Sequence, residues 1–293
     1  MRFKSKVAIV TGAGRGIGEA TALAFAREGA RLVIASRTET ELAQVSRSVA
    51  QMGGEAVAVV ADVTDPANVE KLTKAAIDNY GDIDILVNAA GVYGPIGVMW
   101  EVDPDKWLQA LHINLYGTFL CCRAVLPRMV EKRSGSIINF SGGGATAPLP
   151  RFSAYGVSKA AVVRLTETLA EEVKQYGVRV NAIAPGAVDT RLQDEVLAAG
   201  DRAGRLLEQI RALRESGKGG VPRELPAELA VFLASAESAG ISGKLISAPH
   251  DDWQSWDEAR IRDVASLPWF TLRRIDQFTL KPFLDDIKGK SKD

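Results

Sequence analysis

Short apolar runs alternate with stretches of helical periodicity through the first two-thirds of the chain. Val7-Ala8-Ile9-Val10 reads as a first strand. Gly16 to Arg27 reads as a helix, with Ile17, Ala20, Leu23 and Ala24 recurring at helical spacing. Further strands are expected at Leu32–Ala35, Ala56–Val60, Ile83–Val87, Ser136–Phe140 and Val178–Ile183. Their near-continuous apolarity suits strands covered on both faces. Strands alternating with helices predict an α/β fold, a Rossmann-like, doubly wound parallel sheet.

The texture changes after Pro185-Gly186. Asp189 to Lys218 is rich in Arg and Leu and reads as one or two exposed helices, and Ser216–Gly220 as a flexible connection. Helical pattern resumes at Ala227–Ala234, and Lys244–Ser247 is a candidate last strand. The organisation predicted is a catalytic domain over residues 1–248 with a C-terminal extension over 249–293. That extension holds Trp253, Trp256, Trp269, Phe270, Phe278 and Phe283, so most of it should pack on the domain or on a neighbouring subunit. Lys288–Asp293 is expected to fray.

Composition narrows the class. Lys plus Arg (36) equals Asp plus Glu (36), so no long-range field favours nucleic acid or an anionic membrane. No apolar stretch has the length of a membrane-spanning helix or the place of a signal peptide. The two cysteines, Cys121 and Cys122, are neighbours that cannot readily form an unstrained disulfide. A reducing, cytoplasmic setting is expected, with a small-molecule substrate and neither nucleic acid nor membrane as partner.

Chemistry begins at Thr11-Gly12-Ala13-Gly14-Arg15-Gly16-Ile17-Gly18, between the first strand and the first helix. Glycines there permit a tight turn and close backbone approach to a pyrophosphate at the helix N-terminus. The spacing of Gly12, Gly16 and Gly18 is G-x-x-x-G-x-G. The second strand ends Ala35-Ser36-Arg37-Thr38, with no carboxylate to receive a ribose 2′-hydroxyl. Arg37, with Arg15 in the loop, suits a 2′-phosphate through charge-assisted hydrogen bonds, so NADP(H) is the expected cofactor. Asp62 and Val63, after the third strand, are placed to flank the adenine. The plain alternative is that both arginines are solvated surface residues.

Tyr155 and Lys159 stand four apart on a predicted helix, hence on one face. A phenol has a reference pKa of about 10, and a neighbouring ammonium favours its ionised form. Such a pair can deliver or remove a proton at a carbonyl or alcohol oxygen. Alone it is a weak signal, because many helices carry Tyr and Lys at this spacing.

The motifs arrive as an ordered set: Gly12-Gly16-Gly18, Asn88-Ala89-Ala90-Gly91, Asn114, Ser141, Tyr155 with Lys159, then Pro185-Gly186. In this the chain resembles the short-chain dehydrogenase/reductase family over roughly residues 5–247. The resemblance implies that Tyr155 is the proton donor and acceptor and that Ser141 hydrogen-bonds the substrate oxygen. It implies that Lys159 holds the nicotinamide ribose and lowers the Tyr155 pKa, while Asn114 positions a relay water. Asn88, Ala89 and Gly91 would stabilise the sheet and let the cofactor lie close. Pro185, Gly186, Val188 and Thr190 would line the nicotinamide, with Thr190 near its carboxamide. Homo-dimers or homo-tetramers are expected.

The family's usual Asp-Gly-Gly ending is absent, replaced by Ala248-Pro249-His250-Asp251-Asp252-Trp253. No metal is expected at His250, which lacks further ligands nearby. A nucleotide-sugar epimerase or dehydratase and a non-catalytic NADP(H) sensor are the rivals. The loop spacing counts against the first, and the intact Asn114, Ser141, Tyr155 and Lys159 against the second. Tyr93, Pro95, Thr146, Arg151 and Phe152 are candidate pocket walls of mixed character, which leaves a 3-oxoacyl thioester, a sugar-like ketone, a steroid and a small diketone open as substrate.

Overall fold

The computed structural model describes residues 1–215 and 220–274. The expected connection at Ser216–Gly220, except its last residue, and Phe278, Phe283 and Lys288–Asp293 lie outside the described residues. The N-terminal half runs β1 (Val7–Thr11), α1 (Gly16–Arg27), β2 (Arg31–Ser36), α2 (Glu39–Gln51), β3 (Glu55–Val60), α3 (Pro66–Tyr80) and β4 (Ile85–Asn88). Then come α4 (Pro104–Leu111), a π-helical turn (His112–Tyr116), α5 (Gly117–Glu131), β5 (Gly135–Phe140), α6 (Ser153–Val173) and β6 (Val178–Ala184). The remainder is α7 (Arg191–Ala199), α8 (Arg205–Glu215), α9 (Glu224–Ala234), β7 (Leu245–Ser247) and α10 (Glu258–Ser266).

The seven strands form one parallel sheet in the order β3-β2-β1-β4-β5-β6-β7. The chain winds outward from β1 to β3, then returns to β4 and winds the other way. The switch point therefore lies between β1 and β4, where Thr11 stands opposite Asn88. In such sheets a crevice opens there, beyond the carboxyl ends of the strands.

Strand alternation explains the apolar runs. Ala8 and Val10 face a core shared with Phe25, Leu42, Leu229 and Phe232, while Val7 and Ile9 face one shared with Leu72, Leu120 and Met129. The central strands β1, β4 and β5 are buried on both faces, so both sets of positions there are apolar, whereas the edge strand β3 is open to solvent at Glu55 and Val60. β4 begins two residues later than the pattern predicts, at Ile85. Asp84, just before it, bonds through its backbone to Val7 and Ser136, while its side chain accepts the Val7 N–H at 2.9 Å and pairs with Lys6 and Lys132.

The extension, as far as residue 274, lies on the same core. Trp253 is buried and donates its indole N–H to the Ala248 carbonyl, and Trp256 packs against Phe232 and Phe270. The Leu245 N–H on β7 donates to the Phe270 carbonyl at 2.7 Å. Lys244 holds the carbonyls of Leu267 and Trp269. Glu167 accepts the Leu272 N–H, and Arg164 donates to the Leu272 carbonyl.

Candidate active site

β1 delivers Thr11 to the switch point, and the chain turns sharply through Gly12 (φ 64°) and Gly16 (φ 60°), a backbone region that side chains disfavour. A methyl group at Gly18 would stand 2.1 Å from the Gly12 carbonyl oxygen, so the third glycine is fixed by closure of the turn. No side chain caps the start of α1 at Arg15. Its first amides, at the positive end of the helix dipole, face a cleft of about 380 Å³ lined by Gly12, Gly14, Gly16, Ile17 and Gly18.

At the far end of this cleft lie Ser36, Arg37 and Thr38 from the end of β2, with Asp62 and Val63 after β3. The Ser36 hydroxyl accepts the Thr38 N–H. Burial alone would raise the Asp62 pKa, but hydrogen bonds from Thr64 and the positive charge of Arg37 hold it below the usual carboxylate value. Arg37 is exposed and forms no ion pair among the described residues. Arg15 is paired with Glu41, on the first turn of α2, at 2.9 Å. The side chains of Glu41 and Ser36 both approach within 2.8 Å of where a Gly14 side chain would begin.

The other end of the cleft opens into a second cavity of about 540 Å³, which shares Ile17, Ala89, Gly91, Thr190 and Leu192 with the first. Ser141, at the end of β5, and Tyr155 and Lys159, on one face of α6, line it together. All three are buried. The Tyr155 hydroxyl lies against the Gly142 backbone, so closely that a methyl group there would overlap it. Ser141 donates to the Lys159 carbonyl at 3.3 Å, and the Lys159 ammonium donates to the Phe140 carbonyl at 2.8 Å.

Asn114 sits in the π-helical turn, a local widening often found at functional sites. Its Oδ1 accepts the Val92 N–H, and its Nδ2 donates to the Val92 carbonyl and to Ser158 Oγ, each at 2.9 Å. Gly91 leaves a gap between Asn114 Oδ1 and Lys159 Nζ: a methyl group there would lie 3.3 Å from both. Beneath the cleft, Asn88 donates to Asn139, whose amide continues to Thr166, a buried polar chain joining β4, β5 and α6.

The electrostatics differ from what the Tyr–Lys pairing implies. Burial raises the Tyr155 pKa and lowers that of Lys159 to about 8. Lys159 lies 5.8 Å from the Tyr155 ring centre, and desolvation of both groups outweighs any help it gives the phenolate. The phenol therefore holds its proton at neutral pH, which makes it a donor first.

Pro185, Gly186, Val188 and Thr190 line the same cavity. Gly186 adopts φ 80°, and a side chain there would strike Pro249 and Val221. Apart from Asn88, which lies beneath the cleft, the residues expected in the cofactor site border one of these two adjoining cavities. The glycine cradle and the uncapped N-terminus of α1 fit the pyrophosphate of a dinucleotide, and the passage to Tyr155 fits a nicotinamide.

Several expected pocket walls lie elsewhere. Pro95, Thr146 and Arg151 do not border the cavity, and Phe152 is buried behind Tyr93, which does. Arg151 is directed to the carbonyls of Asp201 and Arg202, between α7 and α8. His112 is exposed on the π-helical turn, and no metal-binding group of side chains exists among the described residues. Sequence reading missed Glu41 and the wall made by Leu192, Leu206, Ile210 and Leu213. The spacing of Leu206, Ile210 and Leu213 signals one helix face, but not what that face meets.

No described helix is long and apolar enough to cross a membrane. The sequence model of the short chain dehydrogenase family matches residues 6–200. An uncharacterized oxidoreductase of Bacillus subtilis is 37% identical over 84% of this chain and 90% of its own. A 3-oxoacyl-[acyl-carrier-protein] reductase of Thermotoga maritima is 33% identical over 84% and 97%. The crystal structure of NAD⁺-bound xylitol dehydrogenase superposes with a TM-score of 0.79 at 29% identity, covering 84% of this chain and 98% of that one. Actinorhodin polyketide ketoreductase with NADPH gives 0.76 at 29%, covering 83% and 95%. The ordered motifs, the doubly wound sheet and these likenesses agree: the chain belongs to the short-chain dehydrogenase family of oxidoreductases, built on a fold that binds a nicotinamide cofactor.

Proposed function

We propose that this protein interconverts a ketone and a secondary alcohol, with NADP(H) as its cofactor and reduction as the favoured direction. One observation carries the reading: Ser141, Tyr155 and Lys159 meet in a cavity continuous with the glycine cleft. The nicotinamide, when bound, supplies or accepts the hydride. Tyr155 donates its proton to the substrate oxygen, and Ser141 donates a hydrogen bond to the same atom as charge develops there. Lys159 holds the nicotinamide ribose, and Asn114 holds a relay water in the gap beside Gly91. Proton refill through Lys159 is eased because its pKa of about 8 lies close to ambient pH.

The preference for NADP(H) rests on Arg37, exposed at the nucleotide end with no ion pair among the described residues. Glu41 favours a second reading, NAD(H), because its carboxylate neutralises Arg15. A homo-oligomer in the cytoplasm is the expected form. Exposed Leu108, Tyr116, Phe119 and Val157 on α4, the π-helical turn, α5 and α6 support self-association.

The test is Tyr155→Phe, assayed on a carbonyl panel through the absorbance of reduced nicotinamide. Turnover should fall by about 10²–10⁴-fold, with cofactor affinity unchanged. A variant that keeps near-normal turnover refutes the role of Tyr155.

A further inference from the structure

The walls of the reaction cavity differ from those of the cleft it joins. The nucleotide end carries Arg15, Arg37, Glu41, Asp62, Arg191 and Glu195. Among the described residues that line the reaction cavity, Lys159 is the only side chain of Asp, Glu, His, Lys or Arg type, and the catalytic reading already uses it. The wall facing Tyr155 is Leu192 from α7, with Leu206, Ile210 and Leu213 from α8. Leu206 and Ile210 continue into an apolar cluster with Tyr93, Phe152, Val196 and Leu207, of which Tyr155 is itself a member.

This segment is rich in arginine, yet it turns those side chains away. Arg205, Arg211 and Arg214 are exposed and do not line the reaction cavity, and Arg214 pairs with Asp189 and Asp194. An anionic substrate would leave its charge opposite leucines in a half-enclosed space, where desolvation is not compensated. A polyhydroxylated ketone would lose water from each hydroxyl and find few partners. Gln193 is a polar side chain nearly buried in the α7–α8 wall: its Nε2 reaches the Ala187 carbonyl at 3.4 Å, and its Oε1 has no partner among the described residues. Gln209 lies at the exposed rim.

From this distribution we infer that the substrate is a neutral ketone with an apolar body, neither a keto acid nor a polyol. The inference rests on the proposed ketone–alcohol chemistry and narrows it. Chemistry at the carbonyl stays with Tyr155 and Ser141, and selection falls to the leucine wall of α7 and α8. A ketone of this kind gains from burial in proportion to the apolar area it hides, whereas a carboxylate of equal shape loses.

The experiment compares 4-isopropylcyclohexanone with 4-oxocyclohexanecarboxylate, two ketones of nearly equal shape that differ in charge. Each is assayed with the full-length protein and NADPH, and a free ketopentose is run beside them. The kcat/KM for the isopropyl compound should exceed that of the carboxylate and the ketopentose by about tenfold or more. Leu213→Lys should narrow the gap with the carboxylate by about tenfold while leaving that with the ketopentose. Equal or inverted preference in the wild-type protein overturns the substrate class and leaves the hydride-transfer reading standing. Absence of turnover with all three, while NADPH binds, counts against the proposed reaction. The same pair is then titrated calorimetrically into the NADPH-loaded protein. Carboxylate binding as tight as that of its isopropyl partner overturns the class, and tighter binding of the isopropyl compound upholds it.

Discussion

The two ends of the cleft are built by different means. At the nucleotide end, position is set by backbone: Gly12 and Gly16 take conformations other residues avoid, and Gly18 touches the chain it closes on. Charged side chains there stay in reach of water. At the reaction end, position is set by packing. Tyr155 and Lys159 are buried between α6, the end of β5 and the α7–α8 wall, and that burial dictates their ionisation. One end recognises charge through local turns, and the other performs chemistry inside a tertiary assembly.

If that contrast is sound, perturbations at the two ends should register in different measurements. The largest effect expected is the turnover loss of Tyr155→Phe, with NADPH affinity held. Burial of Lys159 should come next. Its folded pKa of about 8 lies below the ordinary lysine value of 10.5, so the unfolded chain binds more protons between those values. Stability of the cofactor-free protein should therefore rise with pH across that window. At about 1.4 kcal/mol per pKa unit, the rise is on the order of 3 kcal/mol relative to Lys159→Met. Urea titrations of the two proteins at pH 8 and near 10.5 measure it. Parallel curves would mean that the reaction end is wetter than its geometry shows.

Arg37→Ala probes the opposite end. Loss of one charge-assisted contact to a 2′-phosphate should cost about 1.5–3 kcal/mol, or roughly ten- to hundredfold in NADPH affinity. NADH affinity and turnover at saturating cofactor should hardly change. Equal wild-type affinity for the two cofactors would give Glu41, rather than Arg37, the deciding role. The smallest effect should come from Leu272→Ala. Leu272 is half-buried and packs beside Ala145 and Val163, behind the loop after Ser141 and the catalytic helix α6. A loss of about 1–2 kcal/mol of stability is expected, with NADPH affinity unchanged. A loss of NADPH binding instead would show that the two ends are not separable.

The same contrast decides what could be read from the chain itself. Gly12-Gly16-Gly18 and the alternating strands were legible because they leave a local mark: a turn that needs positive φ, and apolar runs in the central strands. Tyr155 and Lys159 were legible as a pair on one helix face, but not the direction of their pKa shifts, which depends on everything packed around them. Glu41 escaped because its importance comes from the approach of α2 to the glycine loop, across 26 residues of chain. Arg151 was expected in the pocket and instead ties down the join between α7 and α8. Leu206, Ile210 and Leu213 announce an apolar face, while their facing the catalytic tyrosine follows only from how α8 folds back.

The hydrogen bond from Leu245 to Phe270 bears on the solution behaviour of the whole molecule. A sheet ends in a row of amides and carbonyls that can template the strand of another chain, the usual start of edge-to-edge aggregation. Here the last strand is only three residues long, and its first amide is already engaged by the protein's own extension. Lys244 adds a buried cation at that margin, drawn inward to the Leu267 and Trp269 carbonyls. The extension thus works as a terminator for the sheet, and cutting it away before Phe270 would uncover a polymerisation edge even where the catalytic residues remained in place.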